Sequence, residues 1–264
     1  MKFKKIIKNE PLFIKSFNLA KSNPNKTGLM ILFDALFLVS AFVLKTLSDY
    51  FSQSLVAEKT LASAIIFIIL SLIYYLIILF GYSFFKYCIL DFIKSLFELA
   101  EFSFKRLGQF YSLNIIIAGI FFAIMFLLNI VLASTKQQYQ PFVFIILAVP
   151  YLLFLYVIIN ASHSLFYRGA SIKESIKKSL DITFTKIKVY RETILIIIFA
   201  ALILGLLFLG SGYLIRLIGS KNYNLYLNIY SYFEQASIII FDIVLYLVIL
   251  LNRISFYSLL KEER

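Results

Sequence analysis

Six apolar runs, each long enough to cross a bilayer, divide this 264-residue chain. They fall at residues 27–44, 60–85, 112–133, 141–162, 193–218 and 234–260. A hydrocarbon core of about 30 Å takes roughly 20 apolar residues when they are helical. With no water at that depth, a lone run can satisfy its own backbone only as a helix. Hydrophobic residues make up 61% of the chain and charged residues only 15%, with a mean hydropathy of +0.90. A soluble domain is nearer half apolar and a quarter charged. The fold class expected is therefore all-α, a polytopic membrane protein of six transmembrane helices. Pro150 sits near the middle of the fourth run and removes one backbone donor there, so a kink is expected.

The segments between the runs carry most of the charge, and unevenly. Six spans put both termini on one side, and that side holds 21 of the 26 Lys and Arg residues. The positive-inside rule places both termini in the cytoplasm, with the chain in the cell membrane. The expected organisation is a basic N-terminal segment at 1–26, a transmembrane domain at 27–260 and a tail at 261–264. Residues 1–26 lack a short apolar core followed by small residues, so no cleavable signal peptide is expected. Because the net charge of +12 is spread beside the spans, the partner it suggests is anionic lipid rather than nucleic acid.

The longest polar interruption in the second half is 163–193, with seven basic and three acidic residues. Ile172, Ile176, Leu180, Thr183 or Phe184, and Ile187 recur at helical spacing. Lys173, Lys177, Lys178, Asp181 and Lys188 fall away from that face. Ser171 and Glu174 form a capping-box pattern, which starts the helix there. Lys173, Lys177, Lys178, Lys186, Lys188 and Arg191 are the candidate lipid-surface contacts of this basic amphipathic helix. The segment 86–111 is expected to be a second one.

Ile14-Lys15-Ser16-Phe17, Ile93-Lys94-Ser95-Leu96 and Ile176-Lys177-Lys178-Ser179-Leu180 resemble one another, and a span out and a span back follow each. The pattern is a threefold repeat of surface helix, outward span and return span. The pairs Gly119/Ala123 and Ala201/Gly205 are small residues that let helices approach closely. A small residue followed by Ser-x-x-Glu and an amphipathic helix running into a span, at 169–180 here, resembles the prokaryotic six-span families that include the membrane domain fused to some glycerophosphoryl diester phosphodiesterases. That resemblance implies a fold and a membrane location. It carries no catalytic residue over, because the phosphodiesterase domain is lacking.

Within the spans, Asp34 and Asp242 are the candidate intramembrane charge sites. A charge at mid-span costs about 3 kcal/mol or more, so a partner is expected. Arg253 lies as deep from its end as Asp34 and is its expected partner; Arg216 is the expected partner of Asp242. Asn129 and Asn160 at span ends are expected to form interhelical hydrogen bonds. His163, also at a span end, would need a nucleophile or carboxylate nearby in space to act as a general base, and no catalysis is expected there. Pro150, Tyr151 and Tyr156 are expected to be packing residues. The single Cys88 and single His163 support neither a disulfide nor a metal centre, and no phosphate-binding or metalloprotease motif is present. No cofactor and no catalytic set is expected. The function expected is non-enzymatic: a structural or accessory membrane protein whose basic helices contact anionic lipid or a membrane-protein partner. The alternatives are a small transporter or channel using Asp34 and Asp242, and an intramembrane lipid-modifying enzyme.

Overall fold

The computed structural model describes residues 11–57, 60–99, 102–219 and 223–262. Residues 1–10 of the basic N-terminal segment, Lys59, Lys221 and Arg264 lie outside them. The described residues form eight α-helices and one 3-10 turn, with no strand among them. These are α1 (Leu12–Ser22), α2 (Pro24–Ala57), α3 (Leu61–Ser95), α4 (Phe104–Ala133), α5 (Gln140–Tyr167), α6 (Ile172–Thr185), α7 (Ile187–Gly219) and α8 (Tyr223–Glu262). Six of them are long and apolar enough to cross a membrane, as a multi-pass membrane protein requires.

The helices outrun the apolar stretches. The loop expected at 45–59 is helical as far as Ala57, and the polar segment 219–233 is mostly the first turns of α8. Residues 86–111 do not form a surface helix of their own. α3 continues to Ser95 and α4 begins at Phe104. The physical reason is that polarity marks where a chain leaves lipid, whereas a helix ends at a breaker. Residues 45–57 contain neither Gly nor Pro, and Lys45 pairs with Asp49 one turn on, at 2.8 Å. α5 likewise runs through Pro150.

The chain divides into two compact units. The larger, Leu19–Thr183, is a bundle of α2 to α5 with most of α6. An aromatic seam joins α2 to α3, where Phe33 meets Phe85 and Phe92, and Phe37 meets Tyr82. Phe80 meets Tyr111 between α3 and α4, and Phe121 stacks on Tyr151 between α4 and α5. Burial is concentrated at one end of the bundle, around Tyr87–Leu90 and Ile93, Phe110 and Leu113, and Ala161–Tyr167. Elsewhere Leu, Ile and Phe point outward, because lipid is as apolar as they are and nothing drives them in.

The smaller unit joins the start of α1 to the hairpin of α7 and α8. Three contacts keep one antiparallel register. Thr193 O accepts from Asn252 Nδ2 at 2.8 Å, Gly212 faces Phe233, and Gly219 faces Tyr226. A Cβ on Gly219 would lie 2.6 Å from that of Tyr226, so only glycine allows the closure. The glycines expected to mediate close approach, Gly119 and Gly205, instead face open space. The Phe13 N–H donates to Glu192 Oε1 at 3.2 Å, and Ser16 bonds Ser255 at 2.8 Å. These bonds dock α1 where α7 starts and α8 ends.

Candidate functional site

The most concentrated polar chemistry lies in the buried end of the bundle. Ser83 on α3, Asn114 on α4 and His163 on α5 are each at most 3% exposed. Ser83 Oγ donates to the Leu79 carbonyl at 2.7 Å, so it accepts from Asn114 Nδ2 at 2.9 Å. The Asn114 oxygen is thereby turned toward His163, whose Nε2 lies 2.7 Å away. An amide oxygen only accepts, so Nε2 carries the proton. Three helices are tied by one directional chain of hydrogen bonds. The imidazole packs on Phe110, with ring centroids 4.7 Å apart. Asn114 also lines a cavity of about 260 Å³, whose other walls are apolar or aromatic, among them Tyr82, Phe121 and Ile159.

A second ring of contacts closes the same end. The Tyr167 hydroxyl donates to Asp91, Tyr87 packs on the Tyr167 ring at 4.9 Å, and Lys94 lies over that ring at 5.8 Å. Arg106 donates to the Phe166 carbonyl at 2.9 Å and lies over the Phe166 ring. That cation sits at the C-terminus of α5, where the helix dipole favours it. α5 then ends in a Schellman motif. Ala170 N–H bonds Leu165 O, Gly169 N–H bonds Phe166 O, and Gly169 adopts φ +108°.

The chain enters α6 through the expected capping box. The Ser171 N–H donates to Glu174 Oε2 at 3.1 Å, and the Glu174 N–H donates to Ser171 Oγ at 3.3 Å. Those bonds from Ser171, backbone first and hydroxyl second, hold the Glu174 carboxyl below its usual range. Lys173, Lys177, Lys178, Lys186, Lys188 and Arg191 are all exposed. The buried face of α6 differs from the one expected. It consists of Ser175, Ser179, Ile182 and Thr183, while Leu180, Phe184 and Ile187 are 40%, 61% and 53% exposed. Three of the four residues on the buried face are small and hydroxyl-bearing, and the large apolar side chains stay on the outside.

The intramembrane charges are placed differently from one another. Asp34 is half-buried on α2 of the bundle, and Arg253 is half-buried on α8 of the hairpin. Asp242 and Arg216 are both exposed, and no ion pair joins them among the described residues. The hairpin register explains why. Arg216 is level with about residue 229, so Asp242 lies about 13 residues, or roughly 20 Å, further along the hairpin. Neither the cavity beside Asn114 nor one of about 300 Å³ between α2 and α3, near Leu47, Phe67 and Tyr74, is lined by Asp34 or Asp242.

Of the amides expected to bond between helices, Asn129 and Asn160 bond carbonyls of their own helices, Met125 O and Tyr156 O. The interhelical bonds are made instead by His163 and by Tyr151, whose hydroxyl donates to Phe121 O at 3.3 Å. Ser162, a neighbour of His163, donates to Ile159 O. Sequence reasoning missed Ser83 and Asn114. The available signal was a polar residue inside each of two apolar runs, shared with Ser63 and Ser71 in one and Asn129 in the other. No group of three or more His, Cys, Asp or Glu among the described residues is arranged to hold a metal. Compared with known protein families, curated proteins and solved structures, the chain has no match.

Proposed function

We propose that the chain is a non-enzymatic structural or accessory protein of a prokaryotic cell membrane, with both termini cytoplasmic. In this proposal α6 and the start of α7 lie at the headgroup level and bind anionic lipid. The observation that carries it is the outer surface of these helices. All six of their candidate basic residues are exposed, and they alternate with exposed Leu180, Phe184 and Ile187. A helix of that composition lies in an interface, with its cations toward phosphate and its apolar side chains toward acyl chains. Each Lys or Arg near an anionic surface is worth about 1 kcal/mol.

The threefold repeat belongs to the same proposal. It is supported by the placement of Ile14-Lys15-Ser16 and Ile176-Lys177-Lys178-Ser179 on the two short helices, with Ser16 and Ser179 both fully buried. The middle copy then survives only as the end of α3. The resemblance to six-span prokaryotic families fits this architecture and adds no activity to it.

The test is thermal unfolding of the purified chain in nanodiscs of phosphatidylcholine alone and of phosphatidylcholine with phosphatidylglycerol. The parent chain should unfold at a higher temperature in the anionic discs. Lys173→Gln with Lys177→Gln and Lys178→Gln should shrink that difference at low salt. Equal unfolding temperatures for the parent chain in both lipids would rule the proposal out.

A further inference from the structure

A polar stripe runs along the exposed surface of α8. Asn228, Ser231, Gln235, Ile239 and Asp242 are spaced by three, four, four and three residues. At 100° per residue they share an arc of about 80°. All five are exposed, and the four polar ones make no hydrogen bond or ion pair among the described residues. Asp242 falls at the middle of the span Tyr226–Leu260. Exposed large apolar side chains flank the stripe, including Tyr232, Ile238 and Ile243.

A carboxyl and a carboxamide facing acyl chains are costly, so protein must cover this surface in the membrane. The spacing fits a helix as the cover, since steps of three and four that average about 3.5 residues match the period of the seam of a left-handed helix pair. We infer that the cover is α8 of a second copy of this chain, packed in parallel about a two-fold axis along the membrane normal. Two copies inserted the same way present α8 in the same direction, so a two-fold brings each stripe residue against itself. Every polar residue of the stripe can be its own partner. Asn228 and Gln235 each carry a donor and an acceptor, as does the Ser231 hydroxyl. An Asp242 carboxyl in its protonated form is a donor for the carboxyl opposite. A different protein would have to supply matching donors at all four levels, whereas a second copy does so by symmetry.

Disulfide trapping in native membranes tests the arrangement. Single substitutions Ser231→Cys, Gln235→Cys and Ile239→Cys are made in the full chain, with Ile240→Cys as the off-stripe control. The parent chain is the blank, because its own Cys88 is buried. Copper-phenanthroline oxidation should give a product of twice the 30.6 kDa chain mass at the three stripe positions and none at 240. In the Ile239→Cys chain, Asp242→Asn should retain the product, since an amide pairs with itself. Asp242→Leu should reduce it by about fivefold or more, the effect of losing an interhelical hydrogen bond in lipid. Absence of product at every stripe position, equal product at 240, a product of another mass, or an unchanged yield with Asp242→Leu each overturns the inference.

Discussion

The bundle and the hairpin dispose of their polar side chains in opposite ways. In the bundle, Ser83, Asn114 and His163 are buried and pass hydrogen bonds from one helix to the next. In the hairpin, the end of α8 is treated similarly, with Asn252 bonded to Thr193 and Ser255 to Ser16. The other half of α8 leaves Asn228, Ser231, Gln235 and Asp242 exposed. Helices in lipid gain little from hiding Leu or Ile, so polar bonds and small-residue contacts determine which surfaces meet. Where those bonds close within the chain they stabilise a unit. Where they remain open they call for another molecule.

The sharpest way to break this contrast is to remove the central amide of the bundle. Asn114→Leu strands the His163 Nε2–H and deprives Ser83 of its donor, so it should destabilise the bundle by about 2–3 kcal/mol. Gln235→Leu on the exposed stripe should leave the folded monomer within about 0.5 kcal/mol of the parent. Reversible unfolding in mixed detergent micelles measures both. Equal effects would mean that the two polar sets do the same job.

The pair at the centre of the chain can then be isolated. His163→Ala and Asn114→Ala, singly and together, should give a coupling energy of about 1 kcal/mol in a double-mutant cycle. A coupling near zero would reduce the bond between them to a coincidence of packing.

Glycine sharpens the comparison at a similar scale. Gly169 of the bundle is required by its backbone, because φ +108° is left-handed. Gly169→Ala should cost about 1–2 kcal/mol. Gly219 of the hairpin is required by space, because its missing Cβ would overlap Tyr226. Gly219→Ala should cost about 1–3 kcal/mol by overpacking. Gly205 has neither constraint, and Gly205→Ala should instead stabilise α7 by about 0.5–1 kcal/mol. The same unfolding assay ranks the three.

These residues also show what was legible in the sequence. Hydropathy located all six long helices, and Ser171 with Glu174 marked the start of α6, because both signals are local. Apolar periodicity caught only Thr183 of the buried face of α6. Ile172, Ile176 and Leu180 recur at helical spacing, but the buried residues are Ser175, Ser179, Ile182 and Thr183. Gly119 and Gly205 fit a small-residue pattern yet face open space, whereas Gly219 was passed over because only the hairpin register brings Tyr226 to it. Asp242 and Arg216 have opposite charges, and only the same register shows them to be at different depths. The Ser83–Asn114–His163 chain joins residues 31 and 49 positions apart. Nothing in one sequence says which polar residues on three helices share a level.

The smallest effect expected concerns pH, and it separates the capped entry of α6 from the polar chain beneath it. Glu174 is exposed and accepts from both the Ser171 backbone and its hydroxyl, which lowers its pKa. A carboxyl whose pKa is depressed by folding contributes stability above its unfolded pKa and loses it as pH falls through the folded value. The first turn of α6 should therefore hold its amide protection at neutral pH and lose it on acidification below the usual carboxylate range. Hydrogen exchange of residues 171–176, corrected for intrinsic rates, follows this directly. Glu174→Gln keeps the acceptor and removes the titration, so its protection should not vary over the same range. Protection that falls equally in both proteins would assign the acid response to another group.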